Sequence, residues 1–205
     1  KVQESEEKFR TLAEQSPNMI FINKDGKVVY ANKRCEEVIE YSREELMSPE
    51  FNFITIISPE YRKQIWENYK KHISGLEIEP YEYSLMTKNG KQVDAIIATK
   101  LIDYEKGKAI LGIVTDITER KHSEEALKES EERFSLFMDQ LPAVAFIKDN
   151  ESKALYVNKY MKEVLGAIDW IGKPLNQILP EDIAEKMIED DKKAIKSGFQ
   201  VKEEI

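Results

Sequence analysis

The chain has 205 residues, 41% of them apolar, and no long Gly/Ser- or Pro-rich tract, so it has room for one or two domains with cores of their own. A net charge of -8, with lysines interleaved among glutamates, excludes a nucleic-acid groove built on concentrated Lys and Arg. No apolar run approaches the roughly 18–20 residues of a membrane helix, and the single cysteine, Cys35, excludes an internal disulfide and a cysteine-based zinc site, so a reducing cytoplasm is the expected location.

Along the chain, Phe9, Leu12 and Ala13 share one face of the charged segment 6–14, the spacing of a short amphipathic helix that Pro17 ends. Residues 18–23 and 28–31 read as strands flanking the tight turn Lys24-Asp25-Gly26-Lys27. Asn32 then stands where its side-chain oxygen can cap a helix at about 33–40, and Ser42-Arg43-Glu44-Glu45 has capping-box spacing. Ser58-Pro59 predicts a serine cap and a proline opening the longest helix, roughly 59–74, with Tyr61, Ile65, Tyr69 and Ile73 as its stripe and Gly75 as its stop. Beyond Gly75 the apolar period becomes two: 78–87, 92–102 and 108–118 read as strands joined through Lys88-Asn89-Gly90 and Tyr104-Glu105-Lys106-Gly107. Two strands, several helices and three strands define an α+β domain with a five-stranded antiparallel sheet.

From Ile117 a three-four spacing runs through Arg120, Glu124, Leu127, Glu131, Phe134, Met138 and Leu141, a heptad seam weakened by three charged positions. Within it the chain begins to repeat itself. Ser5-Glu6-Glu7-Lys8-Phe9 returns as Ser130-Glu131-Glu132-Arg133-Phe134, Phe21-Ile22 as Phe146-Ile147, and Tyr30-Ala31-Asn32 as Tyr156-Val157-Asn158, with one residue gained in the turn between the strands. Asn158 therefore has the capping role of Asn32. Matching Lys70–Gly75 to Lys192–Gly198 puts Ile205 beside Glu82, so the second copy is expected to stop early in its third strand and the chain to be a fragment of a longer protein. Such a copy would be loosely folded, or have its open edge covered by another chain. The expected boundaries are a complete domain at 1–120, an amphipathic signalling helix at 121–141 and the first part of a second domain at 142–205.

The ending Gly112-Ile113-Val114-Thr115-Asp116-Ile117-Thr118-Glu119-Arg120-Lys121 resembles the closing G-x-x-x-D-I-T-E-R-K signature of PAS sensors, and Lys88-Asn89-Gly90 resembles their K-D/N-G hairpin. The resemblance covers residues 4–121 fully and 130–205 in part. It implies a PAS-like sheet in the order 2-1-5-4-3 with helices on one face, followed by a linker helix and a second, truncated PAS copy. It also implies pairing into a homodimer through linker helices and a downstream output domain, most often a two-component histidine kinase. The alternatives are a ligand-free dimerisation or interaction scaffold and the input segment of a diguanylate cyclase or transcription regulator.

No catalytic residues are expected in this chain, since it has no phosphate-binding loop, no nucleophile elbow and no paired-histidine metal helix. Lys121-His122-Ser123-Glu124 lacks the context of a phospho-accepting histidine, leaving His122 as an exposed linker residue. Haem-binding PAS relatives carry their axial histidine on the long helix, but the aligned position falls near Ile65 and not at His72, so haem is not expected. Flavin is not expected either, because light-sensing relatives place their cysteine on a later helix and Cys35 reads as a small buried hydrophobe. The remaining choice is a small metabolite or no ligand. Candidate lining residues are Ile65, Tyr69, Thr99 and Thr115, although the pattern favours the threonines as ordinary β-branched strand residues. Asp94, in mid-strand, is expected to face water or meet a cation. Asp116 and Thr118 can cap the linker helix, and with Leu127 and Phe134 form the expected relay from sheet to output.

Overall fold

Two adjacent residues with positive φ, Asp25 at 53° and Gly26 at 82°, make the tight turn between strands β1 (Met19–Lys24) and β2 (Lys27–Ala31). This is the turn twist that a two-residue hairpin favours. The turn is locked by Asn23, whose Oδ1 accepts from the Gly26 N–H at 3.0 Å. The computed structural model describes residues 2–105, 107–166 and 169–198. These form two compact units that meet between Glu124 and Glu125.

In the first unit, helix α1 (Val2–Glu14) precedes the hairpin. Of the face read as amphipathic, Ala13 is buried, Phe9 packs its ring 6.2 Å from Tyr30 and Leu12 stays exposed. Helix α2 (Lys33–Ile39) starts at Asn32, and α3 (Arg43–Leu46) carries the complete Ser42/Glu45 capping box. The long helix departs from expectation at its start. Pro59–Tyr61 forms a 3₁₀ turn, α4 spans Arg62–Ile73, and Ser58 makes no capping bond with its side chain. Instead the Ser58 carbonyl accepts from Tyr61 N–H, so the backbone closes the turn and the hydroxyl is left buried without a partner. Gly75 stops the helix with φ +88°, as the sequence predicts.

The sheet is completed by β3 (Tyr81–Met86), β4 (Gln92–Tyr104) and β5 (Gly107–Asp116), all antiparallel, in the order β2-β1-β5-β4-β3. Helices α2, α3 and α4 cover one face, and the core lies between, built from Met19, Cys35, Ile39, Leu46, Ile65, Leu85, Val93, Ala95, Ile97 and Val114. At the centre Phe21 pairs with Gly112, and a Cβ there would overlap the Phe21 ring, so glycine lets the aromatic lie flat across β5.

Helix α5 (Thr118–Asp139) runs unbroken from the end of β5. The second unit contains a hairpin of β6 (Phe146–Lys148) and β7 (Ala154–Val157), then α6 (Lys159–Leu165) and α7 (Glu181–Ser197). The extra residue sits in the β6–β7 turn, where Ser152 takes φ 63° and Asp149 Oδ1 accepts from both Glu151 and Lys153 N–H groups at 2.9 Å. A small core of Ala154, Val157, Met161 and Trp170 underlies it. The third strand expected near Ile205 lies outside the described residues.

Candidate functional site

The concave face of the first sheet and helices α2 and α4 line a partly open cavity of about 110 Å³. Met19 and Phe21 enter it from β1, Val114 from β5, Ile97 and Thr99 from β4, Tyr83 and Leu85 from β3, and Ile65, Asn68, Tyr69 and His72 from α4. Among the described residues that line it there is no lysine, arginine, aspartate or glutamate.

Three of the four lining residues expected from the sequence are therefore brought together: Ile65, Tyr69 and Thr99. Thr115 is not. Strand residues alternate faces, and because Val114 is buried against the cavity, Thr115 is turned to the opposite, exposed side. The stripe of α4 also needs correcting at its end, since Ile73 is 55% exposed whereas His72 is 4% exposed and faces the cavity. At 100° per residue, positions seven apart return to within about 20° of each other, while positions eight apart differ by about 80°. His72 thus stays in line with Ile65 and Ile73 rotates out. Counting by heptad from Ile65 would have revealed it.

His72 is the polar centre of the lining. Its Nδ1 lies 3.0 Å from the carbonyl oxygen of Leu76, just past the helix end. A carbonyl only accepts, so the tautomer with its proton on Nδ1 makes this bond and leaves Nε2 as the acceptor. Nε2 is buried and has no partner. Of the neighbouring polar groups, the Tyr81 hydroxyl is bonded to Asn68 and the Tyr69 hydroxyl to the Gly26 backbone. Burial raises the pKa of the Tyr81 hydroxyl, and a hydrogen bond with Asn68 partly offsets this. Tyr69 stacks on Trp66 with ring centroids 5.5 Å apart. Burial likewise holds the Tyr83 hydroxyl firmly protonated.

Cys35 lines the cavity as well, with its thiol 3.3 Å from Asn32 Oδ1 and 3.5 Å from Ile20 O. Burial pushes its pKa up to about 12, so it is an unreactive thiol and not a nucleophile. Although His72 faces inward, the lining does not fit a haem or a flavin. The space is well below the roughly 300 Å³ and more of drug-sized sites, and it holds no cation for a propionate or phosphate. No group of three or more His, Cys, Asp or Glu able to hold a metal occurs among the described residues.

The exit from the sheet is a second cluster. Asp116 Oδ1 accepts from Thr118 N–H at 2.9 Å, capping the first turn of α5 as expected. Thr118 Oγ1 accepts from Asp94 N–H at 3.0 Å, and Ile117 N–H donates to Asp94 O at 2.8 Å. Asp94 Oδ1 takes a hydrogen bond from Ser84 at 2.5 Å, and Lys121 is close enough to feel its charge. Lys121 and Arg120 both reach Glu82 on β3, at 2.8 and 3.5 Å. The start of α5 is thus tied to β3 and β4 as well as to β5. Leu127, 62% exposed, touches none of this, and Phe134 packs edge-on against Tyr156 at 5.3 Å.

A third feature escaped the sequence reading because only its capping half was legible. Asn32 is fully buried, with Nδ2 donating to Ala13 O (2.7 Å) and Asn18 O (3.0 Å) and Oδ1 accepting from the N–H groups of Ile20 (2.9 Å) and Cys35 (3.3 Å). Glu14 beside it accepts from Lys33 N–H (2.9 Å) and the Tyr30 hydroxyl (3.1 Å). The second unit repeats the arrangement. Asn158 joins Met138 O, Ala143 O, Ala145 N–H and Met161 N–H, and Asp139 accepts from Lys159 N–H and Tyr156. The matching acids Glu14 and Asp139 were the available signal. Each unit thereby fastens the end of its preceding helix to its first strand and next helix.

A five-stranded antiparallel sheet in this order, closing helices over a small internal cavity and sending its last strand into an exit helix, defines a PAS-type sensory domain. Residues 17–119 match the family model described as PAS domain and residues 138–205 the one described as PAS fold; the chain belongs to the PAS family. It is 29% identical over 127 residues to the methyl sulfide methyltransferase-associated sensor of Methanosarcina acetivorans, covering 61% of this chain and 12% of that protein. It is 31% identical over 140 residues to the probable diguanylate cyclase DgcE of Escherichia coli, covering 66% of this chain. The match spans only 12% of that relative too. Similar solved structures include a domain of a sensory box sensor histidine kinase/response regulator from Geobacter sulfurreducens (24% identity, 57% of this chain and 97% of that one, TM-score 0.47). Another is the PAS domain of an HTR-like protein from Haloarcula marismortui (18% identity, 57% and 94%, TM-score 0.48).

Proposed function

We propose that the chain is the cytoplasmic sensory input of a longer signalling protein, in which a small molecule occupying the first-unit cavity alters the anchoring of α5 and so the state of an output domain. The observation that carries this reading is continuity. β5 contributes Val114 to the cavity wall, and two residues later Asp116 caps the exit helix. Nothing in the cavity calls for catalysis by the chain itself. No described helix is long and apolar enough to cross a membrane.

The output favoured here is a two-component histidine kinase, with α5 pairing in a homodimer. Leu127 and Phe134, seven residues apart and both exposed, give that helix apolar surface on one face for a partner helix. A diguanylate cyclase output is the second reading, favoured by the 31% identity to a probable cyclase. Native mass spectrometry of the purified chain, paired with output assays of the full-length protein carrying Ile65→Trp, tests the proposal. A co-purifying small molecule lost in the variant, with the output locked in one state, supports it. Wild-type output from a filled cavity refutes the sensory reading and leaves the ligand-free scaffold.

A further inference from the structure

The cavity restricts the chemistry of its occupant. On the reading above that it is the sensory site, we infer that the ligand is a small neutral molecule with an apolar body about the size of one aromatic ring, carrying a single hydrogen-bond donor that His72 Nε2 accepts.

Size comes first. A space of about 110 Å³ is of the order of the engineered apolar cavities that admit benzene. Two fused rings with substituents exceed that space. Charge comes next. With no ionised side chain in the lining, a carboxylate or ammonium would enter without a counter-charge, and an unpaired buried ion is strongly disfavoured.

Polarity then selects within the neutral molecules. Asn23 Oδ1 is held by Gly26 N–H, the Cys35 thiol faces Ile20 O and Asn32 Oδ1, and Asn68 is bonded to Tyr81. Against these satisfied groups, the Nε2 lone pair of His72 is buried with nothing donating to it. A buried acceptor without a donor is unfavourable, so a ligand that supplies one donor gains over an equally shaped ligand that does not. Phenols and small ring alcohols meet all three conditions. Aromatic acids, basic alkylamines and pure hydrocarbons each fail one.

The test uses phenol, toluene and benzoate as probes on the whole chain, with affinities from calorimetry and the His72 ring nitrogens followed by NMR. Phenol is expected to bind roughly five- to tenfold more tightly than toluene, the contribution of one net hydrogen bond. It should shift the Nε2 resonance where toluene does not, and benzoate should bind far more weakly than either. This comparison is made on wild-type protein and depends on no variant. His72→Phe should abolish the phenol preference while keeping toluene binding, and Ile65→Trp should abolish both. Equal affinities for phenol and toluene, a preference that survives His72→Phe, tighter binding of benzoate, or no binding of any probe overturns the inference. If no probe binds yet a native mass spectrum still shows a ligand that Ile65→Trp displaces, the chemical class falls and the sensory reading stands. If Ile65→Trp displaces nothing and leaves full-length output unchanged, both fall.

Discussion

Replacing Asn32 with alanine should loosen the first unit far more than loss of a helix cap alone. A cap contributes about 1 kcal/mol, but Asn32 makes bonds to four backbone groups. Two of these keep other partners, because Cys35 N–H still reaches Asn32 O at 3.0 Å and Ala13 O still accepts from Ser16 N–H at 3.3 Å. Ile20 N–H is left inside the protein with its acceptor gone, a penalty of roughly 2 kcal/mol, and Asn18 O and Ala13 O lose about 0.5 kcal/mol each. Together with the cap this makes about 4 kcal/mol, or roughly 15 °C in the melting of a unit this size. Hydrogen-exchange mass spectrometry is the suitable assay because it reads each unit separately. Strongly protected amides of β1 and β5 should exchange roughly a thousandfold faster in Asn32→Ala, while peptides covering 146–165 stay as in wild type. Asn158→Ala should give the reverse pattern. Asn32→Ser, which keeps an acceptor but loses both Nδ2 bonds, should fall between. A loss below about 1 kcal/mol, or equal loosening of both units by Asn32→Ala, refutes the hub.

Three further outcomes follow from the same contacts. Asp116→Ala removes the cap on Thr118 N–H, so stability should drop by only about 1 kcal/mol while the full-length protein loses its response to signal; an unchanged response would show that the junction is not the route. Glu14 is partly buried, which raises its pKa, but the bonds from Lys33 N–H, Tyr30 and Arg43 outweigh this and hold it below the ordinary value of 4.5. A depressed folded value means its stabilisation is complete above pH 4.5 and fades as pH falls through the folded value, so the melting gap between wild type and Glu14→Gln at pH 7 should close as the pH falls below that folded value. A gap that is constant with pH would count against the charge-assisted bonds. Cys35, with its thiol pushed up to about 12 and 4% exposed, should resist a thiol reagent at about pH 8 in the folded chain and react readily in urea; rapid reaction without denaturant would mean the cavity wall opens.

Local chemistry was readable where a residue's role is settled by its immediate neighbours. The Asp25-Gly26 turn, the Asn32 and Asn158 caps, the Ser42/Glu45 box and the Gly75 stop each depend on a few adjacent backbone groups, and each is present. Strand order came instead from the resemblance of Gly112–Lys121 to a known ending, because nothing local says that β5 inserts between β1 and β4. The misreadings at Thr115 and Ile73 were errors of phase. One strand residue or one helical step changes the face completely, and an apolar pattern with few polar markers does not fix that phase. Ser58 failed for another reason. Proline at the next position admits a 3₁₀ turn as readily as an α-turn, and the 3₁₀ turn closes on the serine carbonyl. The Asn32 hub needs partners 14 and 19 residues away, beyond any local pattern.

On the sensory reading proposed above, the two clusters of the first unit limit how the cavity acts on α5. Val114 is paired with Met19 on one side and Ile97 on the other, so a ligand pressing on it acts on three strands at once. Three residues along, the backbone of Asp94 holds Ile117 N–H at 2.8 Å and Thr118 Oγ1 at 3.0 Å. Hydrogen bonds of this kind weaken steeply beyond about 3.2 Å. A displacement of β5 by about half an ångström relative to β4 therefore stretches and weakens the anchor, whereas the same displacement shared by β4 and β5 carries the start of α5 with it. The ion pairs from Arg120 and Lys121 to Glu82 favour the shared motion, since they extend the anchor to β3. At the far end of α5 the Asn158 and Asp139 bonds hold Met138 and the last turn to the second unit's own hairpin. Both ends of α5 are thus held by backbone-directed bonds, its start to the sheet of the first unit and its last turn to the residues that open the second.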